Sequence, residues 1–116
     1  MNLPELTQAL LQFRDERNWA QFHTLRNLIV SLNLEAAELL ELTQWKSEEE
    51  MLGISGEALR DECADVLLYL LLIADKAGIN LEEAARNKLK KNAAKYPVEK
   101  SYGSSRKYTQ LDLRED

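Results

Sequence analysis

Apolar residues recur along this chain at spacings of three and four, the pattern of helices buried on one side. Leu3, Leu6, Leu10 and Phe13 form the first such stripe. Asn2 precedes it as an N-cap, and Pro4 lies in the first turn, where its missing N–H costs nothing. The charged stretch Arg14 to Arg17 closes the stripe, and Asn18 to His23 reads as a loop holding Trp19, Phe22 and His23. Thr24 then caps a second helix that runs to about Trp45. A polar connection from Lys46 to Gly56 carries the acidic run Glu48-Glu49-Glu50. The third helix spans about Glu57 to Ala77 and ends at Gly78. Asn80 and Glu83 make a capping-box-like start for a fourth helix, stopped by Pro97. Its Glu82 and Glu83 stand at the start and its Lys88, Lys90, Lys91 and Lys95 towards the end, as the macrodipole favours. The expected fold is all-α: a four-helix bundle over residues 1–97, then a partly ordered tail over 98–116.

Composition narrows the class without changing that picture. At 116 residues, 45% hydrophobic and 30% charged, the chain has the make-up of one globular domain. The longest apolar run, Val66 to Ala74, is under half the ~20 residues of a membrane helix, so no membrane partner is expected. Pro4 and Glu5 stand where a signal peptide would have basic and then apolar residues. The one cysteine, Cys63, has no partner for an intrachain disulfide, which fits a reducing cytoplasm. Cys63 itself reads as a small core residue. A net charge of -5 argues against nucleic acid as a partner.

Two pairs of acids break the apolar pattern. Projected at about 100° per residue, Leu28, Leu32, Leu39 and Leu42 share a sector with Glu35, and Glu38 lies at its edge. On the third helix Leu59, Val66, Tyr69 and Ile73 surround Glu62, and Asp65 follows three residues later. A buried, unpaired carboxylate is costly and takes up a proton unless a cation compensates it. Four acids converging between two packed helices would also repel one another. Surface exposure or pairing with Lys or Arg would explain one such pair, and a lone E-x-x-E is common by chance. Two such pairs, each on an apolar face, favour a shared divalent cation.

The donor set limits which cation. Di-iron bundles carry Glu-x-x-His pairs, and neither pair here ends in histidine. Zinc prefers Cys and His. An all-carboxylate set suits Mg²⁺ or Mn²⁺, ions that commonly serve phosphate chemistry.

Glu35-Ala36-Ala37-Glu38, twenty-three further residues and then Glu62-Cys63-Ala64-Asp65 resemble the E-x-x-E…E-x-x-D signature of the all-α nucleotide pyrophosphohydrolases. This is the MazG-like superfamily, which includes the dimeric dUTPases. The chain is most similar to its dCTP pyrophosphatase branch. That likeness runs through Arg14-Asp15-Glu16-Arg17-Asn18-Trp19, Gln21-Phe22-His23, Arg26-Asn27 and Gln44-Trp45. It continues in Asp65-Val66-Leu67-Leu68-Tyr69, Lys95-Tyr96-Pro97 and Ser104-Ser105-Arg106-Lys107-Tyr108-Thr109, in order over nearly the whole chain. One departure is visible: Leu34 and Ala37 stand where relatives often have glycine.

The resemblance implies a MazG-like bundle and Mg²⁺-dependent hydrolysis of a nucleoside triphosphate to the monophosphate and pyrophosphate. Glu35, Glu38, Glu62 and Asp65 would be the metal ligands, and Glu35 or Glu38 would orient or deprotonate the attacking water. Trp19, His23, Trp45 and Tyr69 match positions that shape the nucleoside pocket. Asn92 and Lys95 match positions that meet the substrate. From the residues alone, these aromatics read equally as packing and the lysines as a solvated helix end. dUTP or a broad range of NTPs is the alternative substrate, and a non-enzymatic helical interaction module the alternative class. Apolar residues on every side of the third helix, with Ile29, Leu34 and Leu40 turned away from Glu35, predict a homo-oligomer. The resemblance makes this a tetramer built as a dimer of dimers.

Overall fold

A computed structural model describes residues 1–53 and 56–111, and within them the chain is all-helical, with no strand. Helix α1 (Leu3–Glu16) is followed by a 3-10 turn at Ala20–Phe22 and by α2 (Leu25–Glu41). A short α3 (Glu48–Leu52) leads to α4 (Gly56–Ala77) and α5 (Leu81–Lys95). A single turn, α6 (Val98–Ser101), and a second 3-10 turn at Tyr108–Gln110 complete the order.

The expected caps are in place. Asn2 Oδ1 accepts the Glu5 N–H at 2.9 Å, Thr24 Oγ1 that of Asn27 at 3.1 Å, and Asn80 Oδ1 that of Glu83 at 3.1 Å. Such a cap stabilises a helix start by about 1 kcal/mol. Gly78, after α4, takes φ +69°, a conformation that glycine adopts without steric cost.

Three sequence expectations change. The second helix stops at Glu41 and not near Trp45, because the Thr43 hydroxyl donates to the Leu40 carbonyl at 2.7 Å and the chain tightens into turns. Trp45 follows in left-handed backbone, φ +63°. The polar connection contains α3, whose start is a capping box: Ser47 Oγ accepts from the Glu50 N–H and donates to Glu50 Oε1, each at 3.2 Å. Ile54 and Ser55 of that connection, and Asp112–Asp116 of the tail, lie outside the described residues. Cys63 is exposed, not a core residue, because the single step from Glu62 rotates it off the inner face.

The chain forms two compact units, residues 1–79 and 80–116. In the first, α2 packs along α4, with α1 also against α4. Leu28, Leu71, Leu72 and Ala74 make its buried core, Leu28 only 2% exposed. In the second, Tyr108 returns to the end of α5. Its ring meets Tyr96 edge to face at 6.0 Å, and the Lys95 ammonium stands 4.9 Å from its centre. Among the described residues no helix is long and apolar enough to cross a membrane.

Candidate active site

Glu35 on α2 and Glu62 and Asp65 on α4 meet across the α2–α4 pair. Each offers an oxygen, and these three oxygens lie within 4.8 Å of one another. All three residues are half-buried. Glu35 Oε2 and Glu62 Oε2 are buried and have no hydrogen-bond partner. Burial, then hydrogen bonding and repulsion from Glu38, then the charges of Asp65 and Glu62 push the Glu35 carboxyl up to about 7. Glu62 is raised for the same reasons, burial first and Glu38 next. Glu38 itself is exposed and stands outside the three clustered oxygens, yet close enough to raise both glutamates.

This arrangement fits a divalent cation. The donors are all carboxylate oxygens, two of them orphaned, and the ion pairs of α1, Arg14 with Asp15 and Arg17 with Glu16, leave these acids out. A cation would satisfy the orphaned oxygens and remove the repulsion that lifts the two glutamates.

The same two helices carry a cavity of about 350 Å³ lined by Trp19, Phe22, His23, Asn27, Ser31 and Tyr69, with Leu28 at its side. Because Tyr69 faces Asn27 and Ser31 while Glu62 and Asp65 face Glu35, α2 and α4 run antiparallel. The cavity and the acids thus occupy successive turns of one helix pair. Its aromatic wall is braced locally. Asn18 turns the chain at φ +56°, and Gln21 Nε2 donates to the Asn18 carbonyl at 2.9 Å. The Arg17 guanidinium lies 3.7 Å from the centre of the Phe13 ring, and Phe13 meets Trp19 edge to face at 5.7 Å. Asn27 Nδ2 donates to the Phe22 carbonyl at 3.0 Å, tying the 3-10 turn to α2. Burial, helped by the positive charge of Arg14, holds His23 below the usual histidine range, so its imidazole is neutral at pH 7. Its Nδ1 is buried without a partner.

Of the residues expected at the site, Glu35, Glu62 and Asp65 come together as one group and Trp19, His23 and Tyr69 as another. Trp45 lines neither; it is 92% exposed. Asn92 and Lys95 belong to the second unit, where Asn92 is exposed and Lys95 lies over the Tyr108 ring. Ser31 was not among the expected residues. Its spacing, four before Glu35, marks it as sharing that acid's face.

A family model described as the MazG-like family matches residues 30–111, a span that holds all four acids. The chain belongs to the MazG-like family. Among its relatives, dCTP pyrophosphatase 1 of Rattus norvegicus is 40% identical over 114 residues, covering 94% of this chain and 67% of the relative. That of Homo sapiens is 39% identical over 115 residues, with 94% and 67% covered. The crystal structure of a pyrophosphatase from Archaeoglobus fulgidus DSM 4304 is 44% identical and superposes with a TM-score of 0.78, covering 84% of this chain and 94% of its own. The chain thus shares both sequence and fold with MazG-like pyrophosphatases.

Proposed function

We propose that this MazG-like protein is a Mg²⁺-dependent pyrophosphohydrolase that converts dCTP, or a modified dCTP, to the monophosphate and pyrophosphate, clearing such nucleotides from the pool. One observation carries the reading: three converging carboxylates, two with orphaned oxygens, share a helix pair with an aromatic cavity. The names of the relatives support dCTP as the substrate. The single cysteine supports a cytoplasmic setting.

In this reading Glu35, Glu62 and Asp65, with Glu38, hold the metal. Bound there, Mg²⁺ supplies neutralisation of the triphosphate and an acidified water. Water adds to phosphorus, the α–β anhydride breaks, and the proton passes to a carboxylate of Glu35 or Glu38. Trp19, His23 and Tyr69 take the base, with the neutral imidazole offering one donor and one acceptor. Asn92 and Lys95 are assigned to the substrate by the family motif alone.

The working form in this reading is a homo-oligomer, a tetramer built as a dimer of dimers within the MazG-like bundle fold. Leu34 and Leu40 on α2 are 62% and 69% exposed, and Leu52 and Trp45 are also bare, apolar surface that a second copy would cover. Trp45 would then complete the base site of a neighbour.

The test is pyrophosphate release from dCTP, dUTP and the ribonucleotides with and without Mg²⁺. Metal-dependent release with dCTP preferred is expected; no release from any nucleotide returns the chain to an interaction module. Sedimentation equilibrium checks the assembly, and an active species at the 13.3 kDa monomer mass would refute it.

A further inference from the structure

Between the acids and the aromatic cavity lies one polar side chain with no structural task. Ser31 lines the cavity, four residues after Asn27 and four before Glu35, little more than one helical turn from each. Those steps amount to about 6 Å along α2 on either side. Hydroxyls on helices usually bond back to a carbonyl of the preceding turn. Thr7 on α1 does so to Leu3 at 2.8 Å. Ser31 makes no such bond among the described residues, and its hydroxyl is not sealed from solvent. Its neighbour differs: the Asn27 amide nitrogen is already tied to the Phe22 carbonyl. Ser31 is therefore an uncommitted donor and acceptor on the stretch of α2 that joins cavity to acids.

We infer that Ser31 reads the sugar of the bound nucleotide by a hydrogen bond to one of its hydroxyls. The inference rests on the pyrophosphohydrolase reading above. In a nucleoside triphosphate the sugar is the part between the base and the first phosphate. A base in the cavity and phosphates at the acids leave the sugar beside the turn that carries Ser31. A carbon-only side chain there would contact the carbon skeleton of any sugar alike. A hydroxyl distinguishes sugars by the number and position of their own hydroxyls.

The experiment compares kcat/KM for dCTP, 2′,3′-dideoxy-CTP and CTP in the wild type and in Ser31→Ala. If the 3′-hydroxyl is read, the wild type prefers dCTP over the dideoxy substrate, and Ser31→Ala shrinks that preference by about fivefold. If the 2′-hydroxyl is read, the CTP-to-dCTP ratio is the one that moves. A purely structural serine would lower all three rates together, so wild-type turnover with both ratios unchanged in the variant overturns the role of Ser31 alone. Absence of turnover in the wild type overturns the nucleotide reading, and the sugar contact with it.

Discussion

The two ends of the α2–α4 pair are built from the same helices but stress the protein in opposite ways. At the acid end Glu35, Glu38, Glu62 and Asp65 crowd one sign of charge, and protons relieve it. At the aromatic end His23 is half-buried near Arg14, and protons are what it resists. One end gathers negative charge, and the other keeps its imidazole neutral. In the proposed reading, chemistry and recognition are therefore separable by mutation, although they share a scaffold.

The widest gap between the ends should come from the acids. Glu35→Gln or Glu62→Gln is expected to lower kcat by about a hundredfold or more at saturating Mg²⁺. Circular dichroism should show an unchanged helix content. Full activity in both variants would break the comparison at its first term.

Next in size is Trp45, which the proposed assembly would bring to a neighbour's base site. Trp45→Ala should raise KM or reorder the bases by more than about tenfold, if stacking transfers at the strength seen in nucleic-acid binding. Its Mg²⁺ affinity, read by activity against metal concentration, should stay that of the parent. An unchanged substrate profile in the folded variant would make Trp45 a packing residue of the assembly and nothing more.

A smaller effect sharpens the electrostatic contrast. The Glu35 carboxyl is raised from 4.5 to about 7, so the metal-free folded state holds that proton more tightly than the unfolded chain does. Stability from this group is present below about pH 4.5 and is lost as pH climbs through 7. Metal-free Glu35→Gln should therefore melt a few degrees above the metal-free parent at pH 8, with the gap closing near pH 5. Thermal melts in chelator across that range would check it; a gap that grows towards acid would be the wrong sign.

The smallest expected effect lies at the other end. His23 is lowered from 6.5, so its contribution is intact above that value and is lost as pH falls through the lowered pKa. His23→Asn should flatten the acid side of the melting profile by about a degree while leaving the alkaline side alone.

Most of the helical frame was legible because its signals are local. Asn2, Thr24 and Asn80 cap helices where their positions indicated, and Gly78 ends α4 where a positive φ was needed. The Ser47–Glu50 capping box is equally local, but its signal is masked by the run of glutamates. The acid cluster was readable from two helical wheels, since an acid amid leucines is conspicuous. The end of α2 was not, because it turns on the Thr43 hydroxyl taking a carbonyl at 2.7 Å. The position of Trp45 was illegible for a different reason. Spacing says which face a residue occupies on a helix, and Trp45 lies beyond the helix end.

Trp45 keeps a left-handed backbone that penalises a residue bearing a Cβ by about 1–2 kcal/mol. Its indole recovers little of that from its own chain, being 92% exposed. Glycine or asparagine would fit the turn more comfortably. A library of position-45 variants would therefore evolve in two directions. Propagated for heat resistance alone, it should shed the tryptophan within a few rounds; propagated for turnover, it should keep it. Sequencing the survivors of both regimes would reveal whether this residue serves the chain that carries it or whatever that chain meets.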